Sequence, residues 1–447
     1  VGISCPVVFN VRDTIFDEQI KIYDVQGSSS INTITFNGES GDSSLAGLHY
    51  QNSNPSNDFT LGLVGTHNIF FNDLTVDRSN GTYAMLIQGG AHDVTVTNSK
   101  LGGDVMSPRY SVDSVLTFVG NNMESKNITL HHPVGTDAGK VVIENNYLND
   151  IVLNNASEVN IKDNSGNGSG SRARDFRIDS CKNITLLRNN LRGIYFHDDT
   201  ILNLENNSFY GGIGDNVTTQ YWDVRVLLFV RCNDFLLANN SYVFSGGAYG
   251  YCLDFNSSST GTITNDSINH IGQESWGNGG KIIRLQSSNN IEIKNNYLGL
   301  QSQYYVGMDV VGSSDSIYIK NNTLLGNLGL QNGRGFNINS SGSIIELDSN
   351  VIIDTDYGIY ISSTSSSKVR NNVLQDIDLL GIEIQGDSGV FTDNIINSIV
   401  GGNGISINGN GGANVSRNKI LGVTAGSGIV VNAPNSLVAN NYVQSDG

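Results

Sequence analysis

Three groups of side chains in this 447-residue sequence have the types and spacing to act on a ligand. Arg172, Arg174, Arg177, Lys182, Arg188 and Arg192 crowd cations into one short stretch, with His197 close behind. Elimination from an acidic sugar needs a cation to neutralise the acid and a Lys, Arg or His base. If residues 176–178 and 194–196 are equivalent strands, Arg177 lies beside Tyr195, a guanidinium against an aromatic plate. That pair predicts a sugar-contacting strip. The competing reading is a basic patch offsetting an acidic neighbourhood.

A second group emerges when one outward strand position is followed through successive repeats: Leu228, Asp254, Arg284, Asp309, Asn337, Tyr360 and Glu383. Asp254, Arg284 and Asp309 would alternate in charge on adjacent strands. Such a row supports register by roughly 0.2–1 kcal/mol per pair, and this is the favoured reading. A catalytic carboxylate pair with an arginine would have the same pattern. Lys281 and Trp276, in the segment Glu274–Lys281, sit on a longer loop; the Trp suits sugar stacking or anchoring of the loop. The third group, Asp198-Asp199, is a carboxylate pair of the kind that glycoside hydrolysis requires at a defined separation. One dipeptide cannot establish that separation, and a solvated turn is the simpler expectation. The catalytic candidates are therefore Arg177, Asp254, Arg284 and Asp309, and the ligand-binding candidates Arg177, Tyr195, Trp276 and Arg284.

What must position these residues is a repeat. A polar residue, an alternating apolar/polar run and an Asn recur, as in His92–Asn98, Asn290–Asn295, Ser316–Asn321 and Ser436–Asn440. Strict alternation over a few residues is a strand signal, and Asn closes the strand because it tolerates the left-handed conformation. The closing Asn falls at 239, 265, 295, 321, 350, 371, 394, 418 and 440, every 21 to 30 residues. That length holds three short strands and three turns. Leucine-rich repeats would show a Leu-x-x-Leu-x-Leu frame, and propeller blades need about 40 residues. A second strand begins with Gly and places two apolar residues around an outward one, as in Gly307–Val310, Gly335–Ile338 and Gly381–Ile384.

The chain therefore reads as all-β, a single-stranded parallel β-helix of roughly 14 to 16 coils and on the order of 70 Å long. Stacked turns would exchange Asn side-chain amide bonds between coils. Residues 1–60 read as an N-terminal cap and first coils, and 61–447 as the solenoid; Ser165–Ser171 reads as a Gly/Ser-rich loop. No C-terminal cap is visible, and the chain starts at Val1, so it reads as part of a longer polypeptide.

Lys plus Arg total 25 against 42 Asp plus Glu, a net charge of −17, which disfavours nucleic acid and anionic membranes as partners. No apolar run reaches the roughly 20 residues that span a bilayer, so membrane insertion is not expected. Cys5, Cys181, Cys232 and Cys252 lack zinc-site spacing. Cys181 and Cys232 occupy equivalent positions two coils apart, about 9.6 Å by the stacking distance, too far for a disulfide. Asp- and Asn-rich turns are a weak signal for Ca2+; no cofactor is expected.

The repeat phrases resemble the right-handed parallel β-helix proteins with pectin-lyase-like repeats, and this resemblance covers nearly the whole chain. The stretches Pro6–Val11, Glu18–Ile20, Asn32–Ser44 and Leu61–Val76 are similar to the opening of large surface-exported β-helix proteins of Bacteroidota. That resemblance implies type IX secretion. Glycoside hydrolases of this fold share Asn-Thr-Asp, Asp-Asp, Gly-His-Gly and Arg-Ile-Lys motifs, which do not occur in order here. The expectation is a secreted or cell-surface segment, structural or adhesin-like, that binds extracellular polysaccharide or cell-surface components on one face. The alternative is a polysaccharide lyase or glycoside hydrolase.

Overall fold

A computed structural model describes residues 2–51, 58–78, 83–108, 115–124, 126–133, 139–166, 176–211, 225–244, 250–270, 280–300, 305–326, 333–342, 344–362, 366–386 and 388–445. Among the described residues every regular element is a β-strand, and every named strand pairing is parallel. The chain divides into two compact units, Val1–Asn207 and Ser208–Gly447.

A full coil runs through three strands separated by two tight turns and a connection of variable length; in three coils of the first unit the third strand shrinks to a single bridged residue, Asn122, Tyr147 or Ser165. In the second unit one coil is Arg225–Val230, Asn233–Ala238 and Ser241–Phe244. The next coil, Tyr251–Asn256, Ser259–Thr264 and Ser267–His270, pairs with it strand for strand. Alternation in sequence becomes alternation in space: in Asn289–Lys294, Ile291 and Ile293 are wholly buried while Glu292 and Lys294 face outward. Ile291, Ile317 and Ile345 stack in register, so apolar ladders fill the interior. The middle strand recurs nine times in each unit among the described residues, more coils than the spacing predicts. Strands inside residues 1–60 belong to these ladders, Val7–Val11 pairing with Ile34–Gly38. Some coils are also short, with only 18 residues from Asn146 to Asn164 and from Asn189 to Asn207.

The closing Asn is two positions, and this corrects the single series read from the sequence. The first has a left-handed backbone: Asn239, Asn265, Asn295, Asn321, Ser349, Asn371, Asp393, Arg417 and Asn440. The second is the next residue, whose side chain points inward as a rung. Asn296 accepts the Asp266 N–H at 2.9 Å, Asn322 that of Asn296 at 3.0 Å, and Asn350 that of Asn322 at 3.0 Å. The amide nitrogen of each rung donates to the carbonyl three residues before the preceding rung: Asn296 to Ile263, Asn322 to Ile293, Asn350 to Ile319. In the first unit Asn146, Asn164, Asn189 and Asn207 obey the same rule. Asn350, Asn394 and Asn418 are therefore rungs rather than turn residues. Rung amides also bond to one another, Asn296 to Asn322 at 2.9 Å, as the sequence reading expects.

The other tight turn carries a shorter ladder. Cys181 accepts the Ala156 N–H, and Cys232 donates its N–H to Ser258. Both thiols are buried, and neither is in a disulfide. Burial pushes the Cys181 thiol well above its usual range.

One glycine explains an aromatic. Phe235 projects into the core against Phe229 and Phe255, ring centroids 5.8 and 4.8 Å away. Its register partner on the next coil is Gly261, and a Cβ there would overlap the Phe235 ring. Gly261→Ala should lower stability by about 1–3 kcal/mol through overpacking, read as a shifted urea midpoint.

Candidate functional site

In the first unit, Arg177–Asp179 pairs with Ile194–His197 so that Arg177 lies opposite Tyr195 and Asp179 opposite His197. Ile178 and Phe196 point into the core with no exposure, which turns all four polar partners outward. The strand equivalence assumed from the sequence is therefore correct. The Arg177 guanidinium lies 5.2 Å from the centre of the Tyr195 ring, and the Tyr195 and His197 rings are 5.8 Å apart.

Asp179 is the hub. One carboxylate oxygen accepts from Arg177 and the other lies 2.9 Å from His197 Nδ1. Burial acts to raise its pKa, but the bonds from His197 and Arg177 outweigh burial and hold the carboxyl below its ordinary value. Asp198, in a left-handed backbone, brings a carboxylate oxygen to 3.4 Å from the same nitrogen. Ligand atoms of Asp179, His197 and Asp198 lie within 4.8 Å of one another, so these are the described side chains arranged to hold a cation. Arg177 already donates to one Asp179 oxygen, which places a guanidinium charge beside the carboxylate that a metal would have to share.

Asp198-Asp199 is not the solvated turn expected of it. Asp199 is wholly buried and accepts the Cys181 N–H at 2.7 Å and the His197 N–H at 3.0 Å. Burial raises its pKa well above that of an ordinary carboxyl. Its role is to fix the turn beneath His197. Arg188 leaves the basic cluster, pairing with Asp163 through two bonds of 2.7 and 2.6 Å. Arg172 and Arg174 lie outside the described residues. Asp179 did not stand out in sequence, because acids next to turns are common in this chain; the signal was an acid two residues from Arg177 on one strand face.

In the second unit the outward row has the register read from the sequence, Leu228 to Asp254, Arg284, Asp309, Asn337, Tyr360 and Glu383. Two of its carboxylates are not solvated: the Asp254 and Asp309 side chains are 3% and 5% exposed. Arg284 lies 3.8 Å from Asp254, Lys281 lies 3.8 Å from Asp309, and Asn337 donates to Asp309 at 2.6 Å. Both cations flank the Tyr251 ring, at 4.8 and 5.4 Å from its centre. Lys281 opens the strand Lys281–Gln286 rather than sitting on the loop, and it reaches Asp309 from the position paired with Tyr251. Trp276 lies outside the described residues.

Residues 357–446 match the family model described as "Right handed beta helix region". No curated protein matches the chain. Among solved structures it is similar to PfbA, a surface adhesin of Streptococcus pneumoniae, at 12% identity over 80% of this chain and 84% of that one, with a TM-score of 0.42. It is also similar to the PL6 family alginate lyase AlyGC, at 11% identity over 98% of each chain and a TM-score of 0.22. The A-module of the Azotobacter vinelandii mannuronan C-5 epimerase AlgE4 gives 11% identity, 91% coverage of each chain and a TM-score of 0.21. By its own strand pairing and by the family match at its C-terminal end, this chain is a right-handed parallel β-helix.

Proposed function

We propose that the chain acts outside the cell as an adhesin-like β-helix whose first unit binds a glycan on the strip formed by Arg177, Asp179, Tyr195 and His197. The observation that carries this reading is the Arg177 guanidinium held over the Tyr195 ring while Asp179 grips its far end. An aromatic plate takes the apolar face of a sugar, and a fixed guanidinium and carboxylate take its hydroxyls. The ordering is complete before ligand arrives, which lowers the entropic cost of binding. Secretion by the type IX route, which the N-terminal resemblance implies, belongs to the same reading.

The Asp179–His197 contact favours a second reading, lyase catalysis with His197 as base. A carboxylate on Nδ1 fixes the imidazole's tautomer and aims Nε2. One experiment separates the two. A glycan array identifies ligands; calorimetry and product assays then compare the chain with its Arg177→Ala, Tyr195→Ala and His197→Ala variants. Binding that falls about tenfold or more in Arg177→Ala and Tyr195→Ala, without turnover, is the expected result. Turnover abolished by His197→Ala replaces it with the lyase reading. Ligands that bind all variants equally overturn the site.

A further inference from the structure

In the second unit one rung of the Asn ladder is an acid. Asp266 is 2% exposed and stands between Asn240 and Asn296. Its Oδ1 accepts the backbone and side-chain N–H of Asn240 at 2.7 and 3.2 Å, as the amide oxygens of Asn322, Asn350, Asn372, Asn394 and Asn418 do for the rungs before them. The second arm is where an acid and an amide differ. In Asn296, Asn322, Asn350, Asn372, Asn394 and Asn418 this arm is an NH2 that donates to the carbonyl three residues before the preceding rung. For Asp266 that carbonyl belongs to Leu237. An ionised carboxylate has no proton to give there, and would set a negative oxygen towards a carbonyl oxygen in a dry turn.

We propose that Asp266 is a proton-carrying rung, neutral in the tight state of the ladder, and that loss of its proton as pH rises loosens the coil built on residues 233–270. The un-ionised acid imitates Asn, accepting through Oδ1 and donating through Oδ2–H. The titratable groups facing it are Tyr242 on the strand Ser241–Phe244, whose hydroxyl donates to Oδ2 at 3.2 Å, and Cys252 on Tyr251–Asn256. Among the described residues no cation faces Asp266 to hold its charge. Burial pushes its carboxyl up to about 7. An unfolded aspartate titrates near 3.9, so the folded state holds the extra proton between about pH 4 and 7. The stability it contributes is full below that window, falls as pH rises through it, and is gone above the folded pKa.

The test is hydrogen exchange at the Asn240 amide, corrected for intrinsic rate, in the whole chain and in Asp266→Asn. In the unaltered chain the opening constant should rise by up to tenfold per pH unit between pH 5 and 7 and level off above. Asp266→Asn, which completes the ladder, should remove the slope and keep protection high at pH 8. A flat profile in the unaltered chain, or the same slope in Asp266→Asn, overturns the proposal. Tyr242→Phe gives an independent reading should the first variant not fold: it removes the donor that favours the anion, so the midpoint must move to higher pH. An unmoved or lowered midpoint overturns the proposal as well.

Discussion

Replacing Asn322 with Leu should cost about 3–5 kcal/mol, while replacing its neighbour Asn321 with Gly should change stability by only a few tenths. Asn321 is exposed, with a φ of 54°, a conformation Gly adopts freely. Asn322 is wholly buried. Its oxygen accepts the Asn296 N–H and side-chain amide, and its nitrogen donates to the Ile293 carbonyl at 2.9 Å. Leu at this position leaves an orphaned donor and an orphaned acceptor in the dry interior, each costing about 1–3 kcal/mol, and adds bulk to a turn with no room for it. Urea unfolding of the two variants, compared by midpoint at equal slope, checks both figures. Similar losses in the two would mean that the rung bonds contribute nothing beyond turn geometry.

The second large effect links stability to the candidate site. Asp199→Ala removes the acceptor for two buried N–H groups, those of Cys181 and His197, and should cost about 2–4 kcal/mol. Because one of those bonds fixes the backbone of His197, ligand affinity should fall as well, although Asp199 has no exposed surface to offer a ligand. Asp199→Asn keeps one of the two acceptor oxygens and should restore no more than about half of that loss. Its pH profile also differs in a defined direction. Asp199 is held neutral by burial, so it contributes stability in acid that declines as pH climbs above the unfolded carboxyl value near 3.9; the Asn variant lacks that decline. Thermal unfolding at several pH values, paired with calorimetry on the glycan ligand, measures both. Asp179 works in the opposite sense. Its lowered pKa makes its contribution present above pH 4 and lost in stronger acid.

Strand positions were legible because alternation and register follow from the two-residue period of an extended chain. Arg177 beside Tyr195, and Asp254 beside Arg284 beside Asp309, needed only a correct alignment of repeats. The turns were less legible for a chemical reason. Asn serves both the left-handed position and the rung, so doublets such as Asn295-Asn296 hide which residue does which, and Ser349-Asn350 or Arg417-Asn418 shift the visible Asn by one. Burial was the least legible property. Asp199, Asp254, Asp266 and Asp309 carry no mark in sequence that separates them from the solvated acids elsewhere in the chain. Solvent access there depends on what neighbouring coils place over each carboxylate.

The rung rule is indifferent to how many residues lie between rungs. Partners separated by 18, 22, 26 or 30 residues bond at 2.9 to 3.1 Å alike. The ladder therefore acts as a splice code: joining Asn350 to Val373 excises one complete turn of the spiral and leaves matching ends, Val351 and Val373 being register partners. A gene encoding such a chain can be lengthened or shortened by duplication or loss between equivalent rungs without inventing new contacts. Whole-coil deletions should thus be tolerated where a single altered rung is not, an inversion of the usual relation between the size of a genetic change and its harm.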